Sequence, residues 1–353
     1  MKLTLRCLVV VLLFKLVPAY SQQDAQFSQY MFNSLYYNPA FAGTEGLTRF
    51  SFLTRIQWLG YEANFDKGGG LFDKGGGAPQ THFLSGTTLL PLLNKSIGVG
   101  AHLVYDTRGP INTVQFKLSG SYLYKVGPGT LSVGLAGGIY NQRVDGSKYR
   151  VIDQEDEIYK ALSTAGTANQ TKFDMGAGLW YKTTKYYAGV SFNHLTRSKF
   201  SYGFDRLNSQ LANHMYITGG YNLNVGTMIV VTPSTMIQTD LKQLTYHLGG
   251  IATYNEKFWV GLQFRQSFAR KDVQNGGVIP KNDDISLLVG VNLLKNKQNN
   301  NALRIGYAFD LVTSGVGAKT RTSHEILLSY IIPAPWEIVR PKVRTPRYRH
   351  DEN

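Results

Sequence analysis

The residues whose side chains could do acid–base or metal chemistry lie singly along this chain. Imidazole serves as a general base, a proton carrier and a metal ligand, so the histidines come first. None forms a His-x-Ser sequence or a closely spaced set of metal ligands. His324 is followed directly by Glu325, but this pair fits a structural role as well as a catalytic one. The pattern predicts no catalytic residue, no cofactor and no metal site, although an active site assembled across distant strands stays open. The seven histidines are His82, His102, His194, His214, His247, His324 and His350.

Charged side chains form a second candidate set, because they recur within segments that otherwise alternate between apolar and polar residues. If these segments enclose an interior, two interpretations stay open. The cations form a basic lumen that could hold an acidic peptide, or they form structural ion pairs, as charges inside membrane proteins usually do. The cations are Arg55, Lys117, Arg265 and Arg304, and the available anions are Asp174, Asp310 and Glu325.

About fourteen strand-like segments position these residues, and the links between them alternate in length. Transmembrane β-barrels have short periplasmic turns and long external loops, whereas a soluble sandwich has no reason for this alternation. The segments are 48–58, 80–90, 95–105, 112–126, 129–143, 171–183, 186–195, 212–224, 227–238, 242–254, 257–268, 283–294, 302–311 and 321–332. Short links lie at 91–94, 127–129, 183–185, 225–227 and 255–257, and longer polar links at about 59–79, 106–111, 144–170, 196–211, 269–282 and 312–320.

Side chains alternate within the segments, as they do on a strand. Phe116 and Leu118 share an apolar face, for example, and Gln115 and Lys117 share the polar one. Segment lengths near 10–14 residues suit the ~9–11 residues that a tilted strand needs to cross a bilayer. The sequence therefore predicts an all-β fold, a transmembrane antiparallel β-barrel of about 14 strands over residues 48–333. Aromatic residues beside the short turns predict an interfacial belt at Tyr122, Tyr124, Tyr181, Tyr186, Tyr187, Tyr254, Phe258 and Trp259.

The N-terminus has the composition of a secretory signal peptide over residues 1–21. Lys2 and Arg6 supply a positive region, an apolar stretch follows, and Ala19 fits a small position of the cleavage site. Cleavage would remove the only cysteine, Cys7, and three of the 37 basic residues, and the net charge of the remaining chain would be +11. No later run approaches 18 apolar residues, so the sequence predicts no transmembrane helix.

We expect residues 22–47 to form a segment in the barrel lumen or at its periplasmic rim. Phe27 and Tyr30, with later apolar residues, recur at helical spacing and predict a short amphipathic helix, which the proline after Asn38 would end. Asn33 and Asn38 would offer amide groups to exposed backbone inside the lumen. A segment of this kind could also close a pore, so a small-solute channel gated by it is the alternative function.

The same segment carries two distinctive runs, Gln-Phe-Ser-Gln-Tyr-Met-Phe-Asn at 26–33 and Asn-Pro-Ala-Phe-Ala-Gly at 38–43. Together with runs at 55–58, 106–110, 306–310 and 323–330, they resemble the PorP/SprF family of outer-membrane proteins in the type IX secretion and gliding systems of Bacteroidota. The resemblance spans the chain up to Pro333, except for a Gly-rich duplication at 66–77. The candidate motif and partner-binding residues are Gln26, Phe27, Ser28, Gln29, Tyr30, Met31, Asn33, Asn38, Pro39, Gly43, Arg55 and Trp58.

The resemblance implies a non-enzymatic barrel that anchors surface proteins or assists their export. The implied partners are outer-membrane lipid, a surface adhesin or other cargo with a C-terminal sorting domain, and periplasmic components of the secretion system, with no nucleic acid. An even number of strands would leave both termini in the periplasm.

The last twenty residues, 334–353, read as a basic periplasmic tail. Two interpretations stay open: docking to an acidic periplasmic partner, which salt should weaken, or a disordered tail without a partner. The docking candidates are Arg340, Lys342, Arg344, Arg347 and Arg349.

Overall fold

A computed structural model of the chain describes residues 24–59, 78–93, 96–146, 167–201, 209–241, 243–268, 284–296, 301–313 and 322–333. The predicted signal peptide at 1–21, the duplication at 66–77 and the basic tail at 334–353 lie outside the described residues, so they stay predictions. Among the residues described, no helix is long and apolar enough to cross a membrane.

Strands make up most of the described chain, and each pairs antiparallel with its neighbours. They are β1 (Leu47–Ile56), β2 (Gln80–Leu90), β3 (Ile97–Arg108), β4 (Ile111–Val126), β5 (Gly129–Asp145), β6 (Thr167–Lys182), β7 (Tyr186–Asn193), β8 (Lys199–Phe200), β9 (Ser209–Gln210), β10 (His214–Tyr221), β11 (Leu223–Val225), β12 (Ile229–Thr239), β13 (Leu244–Tyr254), β14 (Phe258–Phe268), β15 (Asp284–Asn296), β16 (Asn301–Val312) and β17 (Ser323–Pro333).

The main sheet closes into a barrel of fourteen strand positions, which we call staves. β1 pairs with β17 from Leu47 opposite Pro333 to Ile56 opposite His324, and β7 pairs with β10. β10 and β11 are halves of one stave, because β12 pairs with both of them. The predicted antiparallel barrel of about 14 strands is confirmed. β8 and β9 form a separate ribbon within the link that the sequence placed at 196–211; with two residues each, they leave no periodic pattern to detect.

The two ends of the barrel differ in the links they carry. We call the end with Ile56, Asn193 and His214 the long-link end, and the end with Leu47 and Pro333 the short-turn end. Ile97 begins β3 at the short-turn end, since β2 finishes there at Leu90.

The wall has an apolar outer face and an inner face that mixes polar and apolar residues, as the alternation predicts. On β4, Leu118 is 57% exposed whereas Lys117 is 1% exposed. Among the predicted belt residues, Tyr124 points outward and is exposed, as an interfacial residue requires, whereas the prediction is wrong for Trp259, which is buried in the lumen. Tyr187 is also outside the belt, because its ring stacks on the buried ring of Trp180, 5.2 Å between centroids.

Residues 24–46, which we call the luminal segment, run through the barrel from the long-link end to the short-turn end. Asp24 hydrogen-bonds His194 just beyond β7, and Gly43 packs on Gly98 near the start of β3. Gly43 has φ +69°, and a Cβ there would lie 2.5 Å from the Gly98 Cα, so this close approach requires glycine. The described chain therefore begins, at Asp24, at one end of the barrel and finishes, at Pro333, at the other. The expectation that both termini lie on the periplasmic side stays a prediction, because the termini lie outside the described residues, but the two described ends do not share a side.

The luminal segment is less helical than its apolar spacing predicts. One α-helical turn, Ser34–Tyr37, lies between two 3₁₀ turns, Tyr30–Phe32 and Pro39–Phe41, and Asn38 ends it in an extended conformation as expected. The single amphipathic helix is wrong because barrel wall surrounds the segment on all sides, so apolar side chains are buried in every direction rather than along one stripe.

The hydrophobic core of the protein lies between the luminal segment and the wall. Phe27, Tyr30, Tyr36 and Tyr37 of the segment pack against wall residues of six staves. Phe27 contacts Tyr36 edge-on with ring centroids 5.4 Å apart. Removing the segment would therefore expose the apolar part of the interior to water. The wall residues in this cluster are Leu53, Phe83, Val104, Tyr216, Met236 and Leu327.

Candidate functional site

Three buried charges on neighbouring staves hold the middle of the Gln26–Asn33 run. Arg55 on β1 lies between Asp310 on β16, at 2.8 Å, and Glu325 on β17, which it also hydrogen-bonds. The two oxygens of Glu325 accept the backbone N–H groups of Ser28 and Gln29, at 2.5 and 3.0 Å. The Ser28 hydroxyl donates to Asp310 Oδ2 at 2.8 Å and accepts from Arg55 at 2.8 Å. We call these residues the Arg55 clamp.

The geometry of the Arg55 clamp follows from strand register. Arg55 lies directly opposite Glu325 where β1 closes the barrel on β17. Both side chains point inward by the two-residue alternation, and their fractional exposures are only 2% and 0%. Such buried charges need partners, and the luminal segment supplies three donors or acceptors that wall residues alone would lack.

The structural ion-pair interpretation is also correct for two of the other predicted lumen cations. Arg265 on β14 binds Asp284 on β15, and Lys117 on β4 binds Asp174 on β6 at 2.7 Å. Arg304 has a different partner from those expected. Its guanidinium lies 4.5 Å from the ring centroid of Phe32, a cation–π contact that fixes the segment near the short-turn end.

A second polar cluster holds the start of the luminal segment at the long-link end. Asp24 Oδ1 lies 2.8 Å from His194 Nε2, and Asp24 Oδ2 accepts from the Tyr216 hydroxyl at 2.7 Å. His194 Nδ1 lies 2.7 Å from Asp174 Oδ2, the oxygen that Lys117 also contacts. A chain of alternating charges thus runs from the wall to the luminal segment.

The electrostatics of this cluster favour an ion pair between Asp24 and His194. Burial lowers the pKa of His194, but the charge of Asp24 and hydrogen bonds to two carboxylates outweigh it and raise that pKa to about 9. Burial raises the pKa of Asp24, but the charges of His194 and His214 and two hydrogen bonds bring it well below its usual value. The pair is charged at neutral pH and ties the segment to the wall.

The second half of the segment is held through its backbone. The Asn38 side-chain amide donates to the carbonyl oxygens of Leu179, at 2.9 Å, and Val190, at 3.3 Å, and its oxygen accepts from Ala40 N at 2.9 Å. The predicted backbone pairing is confirmed for Asn38. It is wrong for Asn33, whose side-chain amide has no hydrogen-bond partner among the described residues.

The remaining candidate residues serve the same contacts or lie apart from them. Met31 is half-buried and packs both against the core cluster around Phe27 and against a second buried cluster. The members of the second cluster are Ile251, Trp259, Leu288 and Ala308. Pro39 begins the second 3₁₀ turn. Gln26 lies beside the long-link end in a partly buried position. Trp58 follows β1, where its backbone N–H donates to the Ser323 hydroxyl at 3.2 Å. The tail candidates from Arg340 to Arg349 lie outside the described residues.

The arrangement around His194 does not suit nucleophilic catalysis. In a Ser–His–Asp triad one imidazole nitrogen bonds a carboxylate and the other takes the proton of the nucleophile. Here Asp174 and Asp24 occupy both nitrogens. Sequence spacing missed this cluster, because its members are up to 192 residues apart and meet only when the barrel closes around the segment.

Comparisons with known proteins found one matching family and several similar solved structures. A family model described as type IX secretion system membrane protein PorP/SprF matches residues 19–330. No curated protein matches significantly. Among solved structures, the toluene transporter TbuX of Ralstonia pickettii is 11% identical over 85% of this chain and 93% of that chain, with a TM-score of 0.49. A FadL homologue of Pseudomonas aeruginosa is 13% identical over 85% and 95%, with a TM-score of 0.42. Both scores are below 0.5, so the fold rests on the strand pairing alone.

Proposed function

Because the chain belongs to the PorP/SprF family of type IX secretion system membrane proteins, we propose that this outer-membrane barrel acts by holding protein partners rather than by chemistry. The proposed partners are surface proteins with a C-terminal sorting domain, which the barrel anchors at the cell surface or helps to export. Gliding adhesins are one class of such cargo. Periplasmic components of the secretion system are further proposed partners.

One observation carries this proposal: the luminal segment occupies the interior and is bonded to the wall from the long-link end to the short-turn end. Its contacts include the Arg55 clamp, the Asp24–His194 pair and the Asn38 amide. A large partner then meets the barrel at its ends, not inside it. On this proposal the motif residues buried in the lumen act indirectly, by fixing the segment against the wall.

We propose that the long-link end faces the cell exterior and the short-turn end faces the periplasm, as in other bacterial barrels. The exposed surface of the long-link end then receives surface proteins. The basic tail leaves from the short-turn end, where β17 finishes at Pro333, and would reach acidic periplasmic partners by electrostatic attraction.

Co-purification tests the proposal. The tagged protein is extracted from its native outer membrane in mild detergent, and the proteins that accompany it are identified by mass spectrometry. We expect a large surface protein with a sorting domain, enriched over a control barrel that carries the same tag. Recovery of the barrel alone, repeated after gentle cross-linking, would contradict the anchoring role.

A matched truncation tests the tail separately. Deleting residues 334–353 should leave membrane insertion intact, because all fourteen staves are retained, and should reduce the recovery of periplasmic partners. Raising the salt concentration should reduce that recovery in the full-length protein too, since screening weakens exposed charge contacts. Unchanged recovery from the truncated strain would show that the tail has no docking role.

A solute channel gated by the luminal segment is the second candidate function. It is favoured by the position of the segment, which crosses the lumen where a gate would lie. The two functions differ in the effect of releasing the segment. A gated channel conducts when the segment is removed and under some native condition as well, whereas an anchoring barrel keeps the segment in place while it holds its partner.

A further inference from the structure

Asp24, His194 and His214 converge at the long-link end of the lumen. Each presents one ligand atom, and these three atoms all lie within 4.8 Å of one another. The residues come from separate parts of the chain: the luminal segment, the link after β7 and the start of β10. The two imidazoles are almost completely buried, and their ring centroids are 5.6 Å apart.

A hydrogen bond at Nδ1 orients each imidazole, so Nε2 is the nitrogen that could bind a metal ion. His214 Nδ1 lies 3.0 Å from the Ala212 carbonyl oxygen; a carbonyl only accepts, so this nitrogen carries a proton and Nε2 is the nitrogen left to serve as a ligand. His194 Nδ1 lies 2.7 Å from Asp174 Oδ2 and is oriented in the same way. Outer partners of this kind, on the nitrogen that faces away from the ion, are typical of histidines that bind metals.

The carboxylate is oriented too. Asp24 Oδ1 faces His194 Nε2, while Asp24 Oδ2 accepts the Tyr216 hydroxyl at 2.7 Å. Lys117 in turn contacts Asp174 at 2.7 Å and offsets part of the negative charge behind His194. All three prospective ligands therefore have an outer hydrogen-bond partner that fixes their direction.

We propose that Asp24, His194 and His214 form a binding site for a divalent transition-metal ion, with Zn²⁺ as the best match. Two imidazole nitrogens and one carboxylate oxygen suit Zn²⁺ better than Mg²⁺ or Ca²⁺, which prefer oxygen ligands alone. The site extends beyond the proposed partner-holding function and does not depend on it.

Metal binding requires the ligand atoms, which lie within 4.8 Å of one another, to move to tetrahedral separations. With ligand distances of about 2.0–2.1 Å, tetrahedral ligand atoms lie roughly 3.3 Å apart. The Asp24 to His194 separation of 2.8 Å would open by about half an ångström. Without an ion, a proton on His194 lies between these two atoms; the ion takes its place and releases it to solvent.

The consequence is a removable link between the luminal segment and the wall. Asp24 belongs to the segment, whereas His194 directly follows β7 and His214 begins β10. A bound ion would therefore join the start of the segment to the staves β7 and β10 at the long-link end, and metal removal would weaken that attachment.

Cobalt titration of the folded barrel tests the site, because Co²⁺ substitutes for Zn²⁺ and has a visible d–d absorption that reports its ligands. The protein is purified in detergent through a tag without histidines and stripped with a chelator. We expect one Co²⁺ per chain, displaced by Zn²⁺, and at least tenfold weaker binding in His214→Gln and in Asp24→Asn.

His247→Gln is the matched control. His247 is another buried lumen histidine, but it lies on β13 and bonds Gln263 on β14 rather than any of the three prospective ligands, so its replacement should leave Co²⁺ binding unchanged. Heat-dependent migration on gels verifies that each variant is folded. Absence of the absorption in the native protein, equal binding in His214→Gln, or equal loss in His247→Gln would each overturn the proposal.

Discussion

Replacing Arg55 with methionine should release the luminal segment while the barrel stays closed. The change leaves Asp310 and Glu325 buried without the cation that lies between them. Removing one partner of a buried ion pair costs about 3–5 kcal/mol. If the segment leaves, water enters the lumen and hydrates both carboxylates. The loss of the arginine therefore destabilises the state with the segment in place and shifts the equilibrium toward the released state. At 1.4 kcal/mol per factor of ten, the released population should rise roughly a hundred- to several-thousand-fold.

A cysteine at position 35 measures that population. Leu35 is 3% exposed within the segment, and the only native cysteine, Cys7, lies in the predicted signal peptide. A thiol reagent can reach Leu35→Cys only when the segment opens, so the labelling rate reports the open fraction while reclosing is fast. Heat-dependent gel migration confirms in parallel that the barrel itself is folded.

Arg265→Met in the same Leu35→Cys background is the matched control. It removes an equally buried arginine from its ion pair with Asp284, but that pair joins two staves rather than the wall and the segment. Labelling should therefore accelerate far more with Arg55→Met than with Arg265→Met. Equal rates in the two variants, or no change with Arg55→Met, would refute the clamp.

Three further changes test other contacts of the segment. Asn38→Ala removes two hydrogen bonds to wall carbonyls and should lower the unfolding free energy by about 1–3 kcal/mol in a denaturant titration. The side chain of Asn33 makes no such bond among the described residues, so Asn33→Ala should change the unfolding free energy little. Equal losses in the two variants would contradict the assignment. Gly43→Ala introduces both a steric clash and a strained positive φ, whereas Gly46→Ala introduces only the strained φ, because nothing lies within 4 Å of its added Cβ. A protease should therefore cleave the segment faster in Gly43→Ala than in Gly46→Ala. Equal cleavage rates would show that the clash does not destabilise the segment. Deleting residues 24–43 should open a conducting pore in planar bilayers that the intact protein lacks, and equal conductance would show that the segment does not close the lumen.

The wall of the barrel could be predicted from the sequence because its determinants are local. Alternation with period two fixes which side chains face inward, and short turns fix where each stave ends. The inward position of Arg55 and Glu325 follows from this alternation, and their pairing then follows from closure of the first strand on the last.

The contents of the lumen could not be predicted in the same way, because they depend on space left by distant residues. Trp259 beside a short turn reads as an interfacial aromatic. Alternation with the exposed Phe258 and Val260 turns it inward. Its ring fits there because β15 and β16 carry Gly290 and Gly306, and a Cβ at either glycine would come within 2.8 Å of that ring. The cluster of Asp24, His194 and His214 likewise has no sequence signature, since closure of the barrel alone brings it together.

Photo-cross-linking in living cells tests the central claim, that partners meet the ends of a filled barrel, most directly. A photoreactive residue replaces Leu59 at the long-link end, Leu93 in a short turn, or Leu118 on the outer face of the wall, all of which are exposed. We predict a covalent adduct with a sorting-domain surface protein from position 59, periplasmic partners from position 93, and no protein adduct from position 118. Absence of any protein adduct at both ends, with the barrel present at its normal level, would contradict the account.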